Sequence, residues 1–148
     1  LMAGFREFKR VRILAEGWGA QAARFRPEVL AAGGEELFGL ARDWRSDWPM
    51  PTRGIVVFGV AGRSAPWEDL RDLLWDRFGL PVFEQVLGAK LELLASECEA
   101  HDGLHLRQAG IHQPGYALCN ETCPCGDQTP RLCRIDERIE ALAMASGA

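Results

Sequence analysis

The sequence predicts an α/β fold: a small parallel or mixed sheet with a βαβ unit flanked by helices, followed by a C-terminal loop region held by side-chain ligands. Three observations predict it. Gly54-Ile55-Val56-Val57-Phe58-Gly59 is a short continuous apolar run between glycines, the pattern of a strand buried on both faces. The stripe Leu70, Leu73, Leu74 and Phe78 marks a helix, and Pro81-Val82-Phe83-Glu84-Gln85-Val86-Leu87 then reads as the next strand. Cys98, His101, His105, Cys123 and Cys125 finally crowd into residues 97–126, so the C-terminal region reads as stapled by zinc.

Taken in order, residues 4–16 place Phe5, Phe8, Val11, Ile13 and Leu14 near one helical face, with Arg6, Lys9, Arg10 and Arg12 between them. The basic face is a solvated surface or a dock for an acidic partner. Gly17-Trp18-Gly19 breaks the pattern. Proline restricts Arg26 to extended geometry, and Pro27 suits the first turn of a short helix or a turn. From Glu35 to Trp44, Leu37, Leu40, Ala41 and Trp44 repeat at three and four, an amphipathic helix that Asp47-Trp48-Pro49-Met50-Pro51 stops. Pro66-Trp67-Glu68-Asp69 favours a helix start through fixed φ and the helix dipole, and Gly79 ends that helix. Strand 54–58, helix 66–78 and the strand from Pro81 form a βαβ unit with a right-handed crossover.

The whole chain of 148 residues, 47% hydrophobic and 26% charged, suits one domain with a sizeable core. Its parts are an N-terminal helix and connector (1–23), an α/β core (24–94), a zinc-binding segment (95–135) and a C-terminal helix or tail (136–148). A net charge of −4 gives no electrostatic footprint for nucleic acid. No apolar run reaches the roughly 20 residues that span a bilayer, and the charged start lacks the apolar core of a secretory signal. Five clustered cysteines, an odd number, argue against a paired disulfide framework and for a reducing compartment. The expected location is the cytoplasm, with no membrane and no nucleic-acid partner.

The ligand chemistry narrows further. Cys123-Pro124-Cys125 can present both thiols to one ion from a tight turn, with Gly126 supplying the left-handed conformation the turn needs. Cys98 and one histidine, His101 or His105, complete a tetrahedral Cys3His set with no open position, hence a structural zinc site. Spacing alone leaves the histidine open, and the competing readings are ordinary buried thiols or a redox pair at Cys123 and Cys125. Cys119 and Cys133 read as small buried hydrophobes, and His112 has no evident partner.

Residues 24 to about 140 also resemble a known family. Glu97-Cys98-Glu99-Ala100-His101-Asp102-Gly103-Leu104-His105 is close to a Glu-Cys-x-x-x-x-Gly-Leu-His segment, and Cys123-Pro124-Cys125-Gly126-Asp127-Gln128-Thr129-Pro130-Arg131 to a Cys-x-Cys-Gly-x-Thr-x-Pro-Arg segment. Both resemble the phenylacetate-CoA ligase-like branch of the adenylate-forming, AMP-binding superfamily. The resemblance implies one zinc held by these two segments, and it favours His105, which follows Gly-Leu, over His101.

The departures bear on activity. The family's Ser/Thr/Gly-rich phosphate loop has no counterpart. Its Tyr-Gly-x-Thr-Glu motif falls on Leu87-Gly88-Ala89-Lys90-Leu91, with Glu92 one position on; if Lys90 and Leu91 continue the strand, that slip turns the carboxylate to the other face. Its ribose-binding Tyr-Arg-Thr-Gly-Asp maps near Tyr116 to Thr122 without a clear equivalent. The family's hinge motif survives faintly at 135–140, and the segment 106–122 between His105 and the Cys-x-Cys turn is much shorter than in the family. Adenylyl transfer depends on positioning phosphates and neutralising their charge. The expected function is therefore a catalytically silent, zinc-binding relative acting as an assembly or regulatory subunit, with no catalytic residues and no nucleotide contacts. The alternatives are a component of an aryl- or acyl-CoA ligase completed by a partner chain, and a thiol redox module. Trp18, Trp44, Trp48, Trp67 and Trp75 serve the core or an aromatic interface, and a homo-oligomer or complex subunit is expected.

Overall fold

The computed structural model describes residues 13–14, 17–63 and 67–135. The basic helix expected at 4–16 falls mostly outside the described residues, and so do the C-terminal helix or tail at 136–148 and the hinge-like stretch beyond residue 135. The described chain is α/β. It contains helices α1 (Ala20–Phe25), α2 (Gly34–Arg42) and α3 (Trp67–Phe78), and strands β1 (Val29–Gly33), β2 (Gly54–Val60), β3 (Val82–Leu87), β4 (Leu93–Glu97), β5 (Leu104–Leu106), β6 (Tyr116–Cys119) and β7 (Arg131–Arg134). It divides into two compact units, one within 1–58 and 66–82, the other within 59–65 and 83–148.

In the first unit β1 runs parallel to β2, from Val29 opposite Gly54 to Gly33 opposite Phe58, with α2 in the connection. The Thr52 and Arg53 N–H groups both donate to the Glu28 carbonyl, at 3.0 and 2.8 Å, which sets that register. Strand β1 corrects the sequence reading, which placed a turn or short helix after Pro27. Arg26 is corrected too. Its N–H closes α1 on the Ala22 carbonyl at 2.8 Å, so it caps the helix at φ 50° rather than extending before the proline. Helix α2 starts without a side-chain cap, and Glu35 and Glu36 in its first turn complement the helix dipole instead. Gly34 lets α2 approach closely, since a Cβ there would stand 3.3 Å from Leu70 Cδ2. At the other end Arg77 Nε donates to the Ala41 carbonyl at 2.8 Å, satisfying one of the last acceptors of α2.

Three tryptophans serve this unit. Trp44 meets Phe78 edge-on at 4.8 Å between centroids, Trp48 edge-on at 5.4 Å and Trp18 at 5.5 Å. Trp75 points outward and is 57% exposed. The Trp67 side chain lies outside the described residues.

The second unit is an antiparallel sheet in the order β3, β4, β5, β7, β6. Val86, Ala95, Leu104, Tyr116 and Leu132 form its core, one from each strand. This sheet replaces the C-terminal loop region that the sequence suggested: residues 95–135 carry most of β4 and all of β5, β6 and β7. Strand β3 ends at Leu87, so Lys90 and Leu91 do not continue it. The Gly88 N–H donates to the Glu92 carbonyl at 2.9 Å, and the Glu92 carboxylate accepts from the Lys90 N–H at 2.9 Å. Glu92 is thereby spent on closing its own turn.

Candidate metal centre

Two segments of the second unit deliver four ligand atoms to one point. Cys98 follows β4 directly, at the head of a turn in which the His101 N–H donates to the Cys98 carbonyl at 3.1 Å. Gly103 returns the chain into β5 at φ 84°, where a Cβ would stand only 2.7 Å from the Leu132 carbonyl oxygen; only glycine lets β5 lie that close to β7. His105 then sits in mid-strand, paired with Ser96 on β4 and Arg131 on β7, and is 3% exposed.

The second segment is a tight loop. The Gly126 N–H donates to the Cys123 carbonyl at 2.8 Å with Gly126 at φ 90°, and the Cys123 N–H donates to the Asp127 carbonyl at 3.1 Å. Asp127 Oδ1 accepts from the Thr129 N–H at 2.8 Å, which fixes the loop's far end.

The Cys98, Cys123 and Cys125 sulfurs and a ring nitrogen of His105 all lie within 4.8 Å of one another. Cys98 Sγ is 3.6 Å from Cys123 Sγ, and Cys125 Sγ is 3.6 Å from His105 Nε2. Metal–sulfur bonds of about 2.3 Å at tetrahedral angles separate two sulfurs by about 3.8 Å. The set has the size and the donor chemistry to hold a metal ion. His105 Nδ1 is already occupied on its other side, 3.2 Å from Thr129 Oγ1 and 3.3 Å from Asp127 Oδ2. A proton on Nδ1, held by those oxygens, leaves the Nε2 lone pair facing the thiols.

The thiols are not electrostatically equivalent. Burial, followed by the neighbouring thiols, pushes Cys98 up to about 11. At Cys123 burial opposes ionisation as well. There the Cys125 N–H and the surrounding Cys125, Cys98 and His105 groups outweigh it and bring the thiol down to about 7. Arg131, 2% exposed, is the cross-strand partner of His105 in the β5–β7 pairing. It is anchored by its Nη1, which donates to the Asp102 carbonyl at 2.8 Å and to Asp102 Oδ2 at 2.7 Å. A set of three thiolates and one imidazole around a divalent ion carries one net negative charge, and this guanidinium stands beside it.

His101 lies elsewhere. Its ring stacks on Phe83 with centroids 4.8 Å apart, and Nδ1 is 3.2 Å from the buried Glu97 carboxylate. Cys119 and Cys133 are half-buried rather than core residues, and His112 is exposed. Thr129, Asp127 and Arg131 are the parts of the site that sequence reasoning missed. Their signal was present in the polar residues after the Cys-Pro-Cys-Gly turn, but nothing in the spacing tied them to His105 or Cys123.

No helix among the described residues is long and apolar enough to cross a membrane. No protein-family model and no curated protein matches the chain.

Proposed function

We propose that this chain is a zinc-binding, catalytically silent relative of the phenylacetate-CoA ligases that serves as an assembly or regulatory subunit in the cytoplasm. The observation that carries the reading is the convergence of Cys98, His105, Cys123 and Cys125 within 4.8 Å, with the far nitrogen of His105 already held. Three thiols and an imidazole favour zinc over the oxygen-loving cations. A closed four-ligand set makes the ion a staple that joins the end of β4 and the middle of β5 to the loop before β7. The silent reading rests on the turn at Gly88–Glu92, which stands where the resembled family places its acidic nucleotide contact and folds Glu92 back onto the Lys90 N–H. The strand, helix, strand order β2, α3, β3 is read as a right-handed βαβ crossover on the order of the elements alone.

Native mass spectrometry of the protein purified from its own host without chelator tests both halves. One zinc per chain within a defined homo-oligomer or complex is the expected result. A metal-free monomer would overturn the reading. Isothermal titration with ATP, AMP and CoA thioesters tests silence separately: no heat of binding is expected from the chain alone, and micromolar ATP affinity would restore the ligase component.

A further inference from the structure

Among the described residues no arginine or lysine is buried except Arg131. A guanidinium taken out of water needs acceptors and opposite charge close by, and it cannot escape the cost by losing its proton. Arg131 is placed between the two segments that carry the ligands. It opens β7 directly after the loop of Cys123 and Cys125, and it stands opposite His105 in the β5–β7 pairing. Opposite residues of an antiparallel pair carry their side chains on one face, with Cβ atoms about 5 Å apart. From there Nη1 is held by Asp102, which lies between the Cys98 turn and β5, and Nη2 donates to Cys119 Sγ at 3.5 Å. The third donor position, Nε, is buried and has no hydrogen-bond partner among the described residues.

From this placement we infer that Arg131 is the counter-charge of the metal centre, with its Nε–H as the donor to a metal-bound thiolate of the set. This role rests on the metal reading of Cys98, His105, Cys123 and Cys125, and it makes retention of the ion depend on a residue that is not itself a ligand. Three thiolates, one imidazole and a divalent ion sum to one negative charge, in surroundings where Cys123 is 2% and His105 3% exposed. An uncompensated charge is costly there, and a hydrogen bond from a charged donor to an anionic sulfur is about twice as strong as one between neutral groups. A neutral thiol is only a weak acceptor, so the bond gains its strength from the thiolate that the ion stabilises.

Asp102 anchors this cation without cancelling it. Its side chain is 49% exposed, so water screens the carboxylate, whereas that of Arg131 is 2% exposed and keeps its field toward the set. The planar fork matters as well as the charge. It lets Nη1 stay on Asp102 while Nε points a separate donor elsewhere, which a lysine ammonium in the same place does not reproduce.

The deciding experiment uses the wild-type chain. Isotope-labelled protein is compared with and without zinc, and the Arg131 Nε–H resonance is followed by NMR. Zinc is expected to move that proton downfield and to slow its exchange with water by about tenfold, the scale of one charge-assisted hydrogen bond. In a second measurement, zinc affinity is read by competition with a chromophoric chelator. Arg131→Met is expected to bind zinc about ten- to a hundredfold more weakly, the usual effect of losing a group that supports the ligands, and Arg131→Lys to recover part of the loss by keeping the charge. An Nε–H resonance that zinc leaves unmoved would overturn the role of Arg131 and leave the four ligands standing. So would an Arg131→Met protein that binds zinc as tightly as the wild type. A wild-type chain that takes up no zinc would overturn this role and the metal reading together.

Discussion

At His105 two hydrogen-bond acceptors decide which ring nitrogen faces the thiols. Thr129 Oγ1 and Asp127 Oδ2 both approach Nδ1, and Nε2 is left toward Cys125. His105→Ala is expected to abolish stoichiometric metal retention, read by metal analysis after gel filtration, whereas His101→Ala should keep it. His101 is engaged with Phe83 and Glu97 instead. Cys123→Ser or Cys98→Ser should lower the unfolding free energy by more than about 4 kcal/mol, because the binding free energy of a structural metal is also folding free energy. Unchanged melting in both serine variants would remove the staple. From residue types alone the cluster that could hold a metal was visible down to a choice between two histidines. Both lie close in sequence to Cys98, and only strand pairing, which puts His105 inside β5 and His101 in the turn before it, separates them. Arg131 was illegible for the opposite reason, since a buried arginine contradicts the pattern that sequence reading relies on.

Short strands are held less by propensity than by what their neighbours permit. The long periodic elements α2, α3 and β2 were readable because each repeats an apolar pattern over several residues. Strand β1 is Val-Leu-Ala-Ala-Gly, with little β-branching, and β5 is only Leu-His-Leu, so neither announces itself. What makes β5 a strand is Gly103. Its φ of 84° and the 2.7 Å clearance to the Leu132 carbonyl mean that Gly103→Ala should cost about 1–3 kcal/mol, through left-handed strain and displacement of β7. Denaturant unfolding in excess metal checks this, and a loss below half a kilocalorie would mean that β5 and β7 can part without cost.

Glu84 links four strands of the same sheet. Tyr116 Oη donates to its Oε2 at 2.5 Å, Arg134 Nη2 reaches that oxygen at 3.3 Å, and its own N–H donates to Glu97 Oε2 at 2.9 Å. The Glu84 side chain is 1% exposed, and Oε1 has no hydrogen-bond partner among the described residues. Burial holds its carboxyl above the usual range, against the hydrogen bond from Tyr116 and the charge of Arg134. The native state therefore keeps this proton to a higher pH than the unfolded chain does. The contribution of Glu84 to stability is greatest below the ordinary carboxylate range and is lost as pH rises through its raised value. Glu84→Gln has no proton to lose, so its melting temperature should gain on the wild type across that window. A difference that stays constant with pH would show that Glu84 titrates alike in the folded and unfolded chains.

For the molecule as a whole, the ligands and the strands of the second unit are nearly the same segments. Cys98 extends β4, His105 is the centre of β5, and the loop carrying Cys123 and Cys125 runs from β6 to β7. Sequence reading saw a loop region here because the cysteines, histidines and turns interrupt every apolar pattern, and it could not see that the short strands between them pair. Removing a metal from such an arrangement leaves three thiols and an imidazole at one point and withdraws the bonds that hold them there. At neutral pH the Cys98 thiol, pushed up to about 11, takes back its proton, and Cys123, near 7, does so in part. A metal that binds only the folded chain stabilises it by mass action. Chelation is therefore expected to raise amide hydrogen exchange first at 104–106 and 131–134, whose pairing depends most directly on the loop, and next at 93–97 and 116–119. Readdition of zinc should restore protection. Exchange that is identical with and without chelator, on protein shown to have carried metal, would mean that β4, β5, β6 and β7 hold by packing of Val86, Ala95, Leu104, Tyr116 and Leu132 alone. The ion would then be a passenger on a sheet that folds without it.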